Sequence, residues 1–272
     1  MRITEIFTRK NRLLLKAMVS TDFKLRYQQS VLGYVWSILK PLMLFTIMYM
    51  VFVRFLKFGA DVPHFSVGLL LGTIMWNFFN EATTGGMLSV VNHGDLMRKI
   101  NFSRYTVVLS AIASALINFG INFVVVLIFS LINGVQLRPQ ALLMVPIFLE
   151  LAILASGVAF FLGALFVDFR DLNPIWEVVM QAGFYATPII YPISLVTSQA
   201  GPQVSRLLYL NPVAQIIQDA RHVLIAPENP TIWGAYGSHW WVGLFPVALC
   251  LAIFAGGLHY FTIKAKNFAE LV

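Results

Sequence analysis

The chain has 272 residues, of which 58% are hydrophobic and 11% charged, and its mean hydropathy is +0.77. Those values exclude a soluble globular enzyme and define an integral membrane protein. The net charge of +7 is not a nucleic-acid footprint, because the basic residues sit between apolar runs rather than along one solvated face; anionic lipid headgroups are the expected counterpart.

Along the chain, Lys16, Ser20, Lys24 and Gln28 recur every four residues while Leu14, Leu15, Met18, Val19 and Leu25 occupy another side. This pattern predicts an amphipathic helix with a basic face, lying in the headgroup layer as part of a cytoplasmic segment 1–31. The alternative is a helix packed on a soluble domain. No apolar run ending in a small-residue cleavage site falls within the first thirty residues, so no removable signal peptide is expected. The stretch from Arg26-Tyr27 through Ser30, Leu32-Gly33, Tyr34 and Trp36 to Lys40-Pro41 takes a basic segment past aromatic residues into hydrocarbon. That is the pattern of entry into a bilayer from the cytoplasm.

Six apolar runs, near 32–56, 65–84, 105–132, 142–167, 172–191 and 240–262, are each long enough to cross about 30 Å of hydrocarbon at about 1.5 Å per helical residue. The short alternating segments of a barrel are absent, so the fold class is all-α and polytopic with six transmembrane helices. With the N-terminus in the cytoplasm, that side holds Arg2, Arg9, Lys10, Arg12, Lys16, Lys24, Arg26, Arg98, Lys99, Arg104, Arg170, Lys264 and Lys266. The other side holds only Arg54, Lys57, Arg138, Arg206 and Arg221. The positive-inside rule therefore places both termini in the cytoplasm. Lys40, just inside the first span, is expected to snorkel.

Between the second and third spans, within a cytoplasmic segment 85–104, Asp95, Arg98 and Lys99 lie on one side of a short helical pattern and Leu96, Met97 and Ile100 on the other. Such a helix suits either docking of a soluble motor or the membrane surface. The segment 192–239 carries two short helical patterns, near 204–210 and 213–225, separated by Asn211-Pro212. Neither is long enough to span, and Pro212 suits the first turn of the second. Re-entrant or interfacial helices on the outer face are predicted, with an ordinary extracellular loop as the alternative.

No GxxxxGK[ST] loop is present, so nucleotide hydrolysis by that route must fall to another subunit. The five histidines are not spaced for a helical metal pair, and Cys250 lies in an apolar run as a core thiol. Glu81, Glu150, Asp171 and Glu177 lie in or at the edge of spans, where a charge defaults to function. Glu150 either lines a hydrated path or pairs with a polar group on a neighbouring helix. Small residues four apart, Gly68 and Gly72, Ala111 and Ala115, Ala152 and Ser156, predict close helix packing. Tyr34, Trp36, Trp76, Phe78, Phe79, Trp176, Trp240 and Trp241 fall near span ends, as an interfacial belt or as the lining of a path on which sugar rings stack.

These pieces together resemble the permease subunits of ABC-2 type exporters, in particular those exporting lipid-linked polysaccharides such as O-antigens, teichoic acids and rhamnose-rich wall polymers. The residues carrying the resemblance are Arg26-Tyr27 with Ser30, Leu32-Gly33, Trp36 and Pro41; Asn92 with Leu96 through Phe102 and Arg104; Phe169-Arg170-Asp171-Leu172; and Asn211-Pro212 with Arg221. Ser103 stands where many relatives have proline. The resemblance covers nearly the whole chain as a single transmembrane domain, 1–272. It implies a homodimer in a bacterial plasma (inner) membrane, bound to two copies of an ABC ATPase that hold ATP and Mg, with no cofactor or catalytic residue in this chain.

It further implies that Asp95, Leu96, Arg98, Lys99 and Asn101 form the coupling helix, that the N-terminal helix is the interface helix, and that 204–225 form outer gate helices. Candidate sugar-contacting residues are Tyr34, Trp36, Phe78, Phe79 and Tyr185. The expected function is ATP-driven export of an undecaprenyl-type lipid-linked polysaccharide. The alternatives are an ABC-2 exporter of a small lipid or drug, a stand-alone secondary transporter, and a non-transporting scaffold.

Overall fold

A computed structural model of the chain describes residues 8–27, 33–100, 102–237, 239–266 and 268. Their regular structure is all helical, with no strand among the described residues. α1 (Arg9–Tyr27) precedes α2 (Trp36–Met48), which runs on as a π-helical stretch, Tyr49–Phe55. α3 (Phe65–Asn92), α4 (Gly94–Lys99), α5 (Tyr105–Ile132), α6 (Met144–Asp168) and α7 (Leu172–Ala186) follow. The short helices α8 (Ile193–Ala200), α9 (Pro202–Tyr209), α10 (Pro212–Leu224) and α11 (Ile232–Tyr236) lead to α12 (Leu244–Lys264). Among the described residues, four helical runs are long and apolar enough to cross a membrane: Trp36–Phe55, Tyr105–Ile132, Pro139–Asp168 and Trp240–Lys264.

α3 is the centre of the bundle. Val67, Leu69, Leu70, Leu71, Met75, Ala82 and Met87 are fully buried on several of its faces, the mark of a helix enclosed by neighbours. In lipid, apolar area alone does not drive helices together; close backbone approach and dispersion do. The crossing points bear this out. A Cβ on Gly86 of α3 would lie 2.6 Å from that of Ala159 in α6. α6 and α12 approach closer still: a Cβ on Gly257 would run into the Gly157 carbonyl, and one on Gly157 would lie 2.5 Å from the Phe254 Cα. Of the predicted small-residue pairs, Ala111 does face α3, 3.5 Å from the position of a Gly85 Cβ. Gly68 and Gly72 instead clear space for the Arg221 side chain.

Three boundaries differ from the sequence reading. α3 runs to Asn92, so residues 85–92, beyond the end of the second apolar run, form its last two turns. Gly85 and Gly86 are packing residues here, against Ala111 and Ala159. α7 stops at Ala186, fifteen residues long and about 22 Å at helical rise, well short of the run 172–191. Thr187 is driven extended, at φ −90° and ψ 136°, by the ring of Pro188 after it. The segment 192–239 holds four short helices, not two. The second of the predicted pair starts as expected: Pro212 opens α10 and the Asn211 side chain accepts from the Val213 N–H at 3.0 Å, a side-chain N-cap.

At one end of the bundle, α1 leans on α4 and α5. Met18 is buried against Phe102 and Val107, with Leu14, Leu96 and Met97 around them. Asn11 accepts from the Ser103 N–H at 3.4 Å and Asp22 lies 4.0 Å from His93. The apolar side of α1 therefore faces protein, not only the headgroup layer, because α4 and the start of α5 supply the surface that a separate domain would have supplied. Nearby, Arg104 donates to the Ala265 carbonyl, Tyr105 to Thr262 at 2.9 Å, and Lys264 to Asp168 at 2.6 Å. These bonds tie the ends of α5, α6 and α12 together.

Candidate functional site: a polar groove between apolar helices

An open groove of about 900 Å³ is walled by α2, α3 and α7, with α5 behind. Asn77, Asn80, Glu81, Thr84 and Leu88 reach it from α3, and Glu177, Met180, Gln181, Phe184 and Tyr185 from α7. Each set repeats every three or four residues, which is one face of a helix. Trp36, Ser37, Lys40 and Leu44 close the α2 side. Polar side chains that an apolar bundle would otherwise have to satisfy internally are thus turned onto one surface.

The polar residues are held. Asn118 of α5 donates to Glu81 Oε2 at 2.7 Å, Thr84 donates to Asn80 Oδ1 at 3.1 Å, and Asn173 donates to Glu177 Oε1 at 3.0 Å. Asn122 backs Asn118 by donating to its carbonyl at 2.9 Å. Trp176 joins α7 to α3 through Thr83 Oγ1 at 3.3 Å. Trp76 packs on the backbone at Gly183, whose Cβ would lie 2.8 Å from the indole, and meets Phe184 edge to face at 6.1 Å. Amides, carboxylates, hydroxyls and an ammonium beside flat rings can hydrogen-bond and stack on a polyhydroxylated ligand.

Of the predicted path residues, Trp36 and Tyr185 line the groove, and Tyr185 is 56% exposed. Phe78 and Phe79 do not: both are buried, Phe78 against Phe119 at 5.2 Å and Phe79 against Trp76 at 6.0 Å. They point away because, at about 100° per residue, they fall off the face bearing Asn77, Asn80 and Glu81. Asn101 and the side chains of Arg26, Tyr27 and Tyr34 lie outside the described residues. The sequence reading missed Asn77, Asn80, Thr84, Asn118 and Gln181. The i, i+3, i+4, i+7 spacing of Asn77, Asn80, Glu81 and Thr84 was the available signal. Lys40 is on the groove wall.

On α4, Asp95, Arg98 and Lys99 are exposed while Leu96 and Met97 pack toward α1. Ile100, placed on the apolar side by sequence, is 41% exposed, because the chain turns extended there at φ −130° and ψ 129°. Arg170 and Asp171 are exposed in the turn before α7, with the Arg170 guanidinium 5.4 Å from the Phe166 ring.

Arg221 of α10 is 3% exposed, and each of its guanidinium nitrogens donates to a backbone carbonyl. Nε donates to Gly68 O at 3.1 Å, Nη1 to Pro188 O at 2.8 Å and Nη2 to Ile189 O at 2.7 Å. Burial lowers its pKa to about 10, so it stays charged at neutral pH. It is a clamp between α10, the start of α3 and the turn after α7, not a loop charge facing water. Beside it runs a polar seam: Gln215 donates to Asp219 at 2.5 Å, and the Cys250 thiol lies 3.8 Å from Glu150 Oε1. Glu150 therefore meets a polar partner on a neighbouring helix. Burial pushes the Asp219 carboxyl up to about 6, against the opposing pull of the Gln215 hydrogen bond and of His222.

A bundle with four helical runs apolar enough to cross a membrane, and an open groove onto which polar side chains are turned, is the framework of a membrane permease. The chain belongs to the ABC-2 type transporter family, whose model matches residues 13–225. It is similar to the O-antigen export system permease protein RfbA of Klebsiella pneumoniae, 26% identical over 260 residues, covering 95% of each chain. It is similar to the protein of the same name from Myxococcus xanthus, 26% identical over 217 residues, covering 80% of this chain and 82% of that one.

Proposed function

We propose that this chain is the membrane subunit of an ATP-driven exporter that moves a lipid-linked polysaccharide from the cytoplasm to the outer side of a bacterial inner membrane. The observation that carries this reading is the groove, where Asn77, Asn80, Glu81 and Gln181 share a wall with Trp36 and Tyr185. A small lipid or drug needs an apolar cavity; a glycan needs repeated hydrogen-bonding groups with rings between them, which hold sugar without fixing its register. Relatives named as O-antigen export permeases support the same substrate class.

In this reading α3, and α7 together with the turn that follows it to residue 191, complete six spans and both termini are cytoplasmic. α3 crosses despite its polar stripe because the stripe faces the groove. The protein works as a homodimer with two copies of an ABC ATPase, which bind ATP and Mg. Asp95, Arg98 and Lys99 on α4 dock in the ATPase, and closure of the motor is passed to α3, which continues into α4 after a single residue, His93. α9 and α10 gate the outer end, with Arg221 holding the gate to α3. The glycan advances along the groove while its undecaprenyl-type anchor stays in the bilayer.

The test is ATPase turnover of the chain co-expressed with its ATP-binding subunit in lipid nanodiscs, with and without undecaprenyl-linked glycan. Glycan-stimulated turnover of a stable complex supports the reading. A stable complex stimulated by small lipids and indifferent to glycan overturns the substrate class.

A further inference from the structure

A second concavity, of about 490 Å³, lies between α1 and α5 and has no part in the groove described above. Its floor is apolar, formed by Leu15 and Val19 of α1 with Ala113 and Ile117 of α5. Its rim is basic: Arg12, Lys16 and Lys24 lie on one side of α1 at spacings of four and eight residues, and all three are exposed. Along α5 the floor continues into Ile117, Val124, Ile128 and Leu131, which are 44%, 54%, 53% and 60% exposed on a membrane-crossing helix.

We propose that this cleft is a binding site for one anionic phospholipid, with the headgroup phosphate on Arg12, Lys16 and Lys24 and an acyl chain along Ala113 and Ile117 of α5. The occupant follows from charge and position. A soluble acidic segment satisfies the rim but leaves the floor and its continuation along α5 uncovered, whereas a zwitterionic lipid covers the floor without matching the rim. An anionic lipid matches both. The lipid bridges α1 to the bundle on the side that Met18 does not reach, so it acts as a wedge that sets the angle of α1. The proposal does not depend on what the protein transports.

Native mass spectrometry of the full chain, released from mixed micelles of phosphatidylglycerol and phosphatidylcholine, tests it. One phosphatidylglycerol should be retained in preference to phosphatidylcholine. The double variant Lys16→Gln, Lys24→Gln should lower that retention on the order of tenfold or more, given about 1 kcal/mol per basic residue at an anionic surface. Ile117→Trp, which fills the floor and leaves the rim intact, should lower it too, and both variants should stay monodisperse. Equal retention of the two lipids overturns the proposal, as does unchanged retention in both variants or displacement by millimolar inorganic phosphate, which would mean that the tail makes no contact.

Discussion

Asn118 on α5 donates to Glu81 on α3 at 2.7 Å, and both side chains face the groove. A carboxylate on a central helix is thereby kept in place by a neutral amide.

Replacing Asn118 by Leu removes that donor from a half-buried carboxylate. Glycan export measured in the assembled complex should fall roughly tenfold, the loss of one charge-assisted hydrogen bond. Glu81→Gln, which keeps the shape and a hydrogen-bonding partner for Asn118, should keep more activity than Asn118→Leu. A larger loss in Glu81→Gln than in Asn118→Leu would show that charge, not positioning, is what counts.

Arg221→Met strands the carbonyls of Gly68, Pro188 and Ile189. Thermal unfolding in detergent should shift by the equivalent of about 3 kcal/mol or more. Gly72→Ala, which would set a Cβ 3.1 Å from the guanidinium, should destabilise less, by about 1 kcal/mol. A silent Arg221→Met would remove the clamp from the account.

Two neighbouring glycines of α12 make a matched pair. Gly257→Ala drives a methyl into the Gly157 carbonyl, whereas a Cβ on Gly256 meets nothing within 4 Å. The first should lower stability by about 2 kcal/mol or more, and the second should be neutral or slightly stabilising by helix propensity. Yield and melting temperature of the two variants, compared side by side, check this.

Asp219 gives α10 a pH dependence. Its folded value of about 6 lies above its ordinary 3.8, so the folded state binds the proton more tightly. The resulting stabilisation is fully present below about 4 and is lost as pH rises through 6, by up to about 3 kcal/mol. Hydrogen exchange in α10 should accelerate over that window, and Asp219→Asn should flatten the profile. His222, whose Nδ1 lies 2.9 Å from Asn229 O, and Glu150 face the same seam, so the profile should be read against variants of each.

Much of the bundle was legible because its signals are local. α5 begins and ends where its apolar run does, Asn211-Pro212 announces the start of α10, and the four-residue repeat of Lys16, Ser20 and Lys24 gives α1. The groove was harder to read. Asn77, Asn80, Glu81 and Thr84 only lower the hydropathy of α3, and they become a site when α2 and α7 face them, which is a tertiary fact. Phe78 and Phe79 were chosen for being aromatic, without regard to a helical register that turns them inward. Arg221 was counted as an outer-loop charge since nothing local reveals the three carbonyls it binds; with it buried, the basic asymmetry between the two sides widens.

The claim that the groove carries glycan is tested most directly by photocrosslinking. A photoreactive amino acid at Gln181, on the groove wall, is compared with one at Val124, on the exposed face of α5, in membranes energised by ATP and loaded with radiolabelled lipid-linked glycan. Labelling of the chain from position 181 and not from 124 is the predicted result. Labelling from neither position, or equally from both, in a complex that still exports would contradict the assignment of the path.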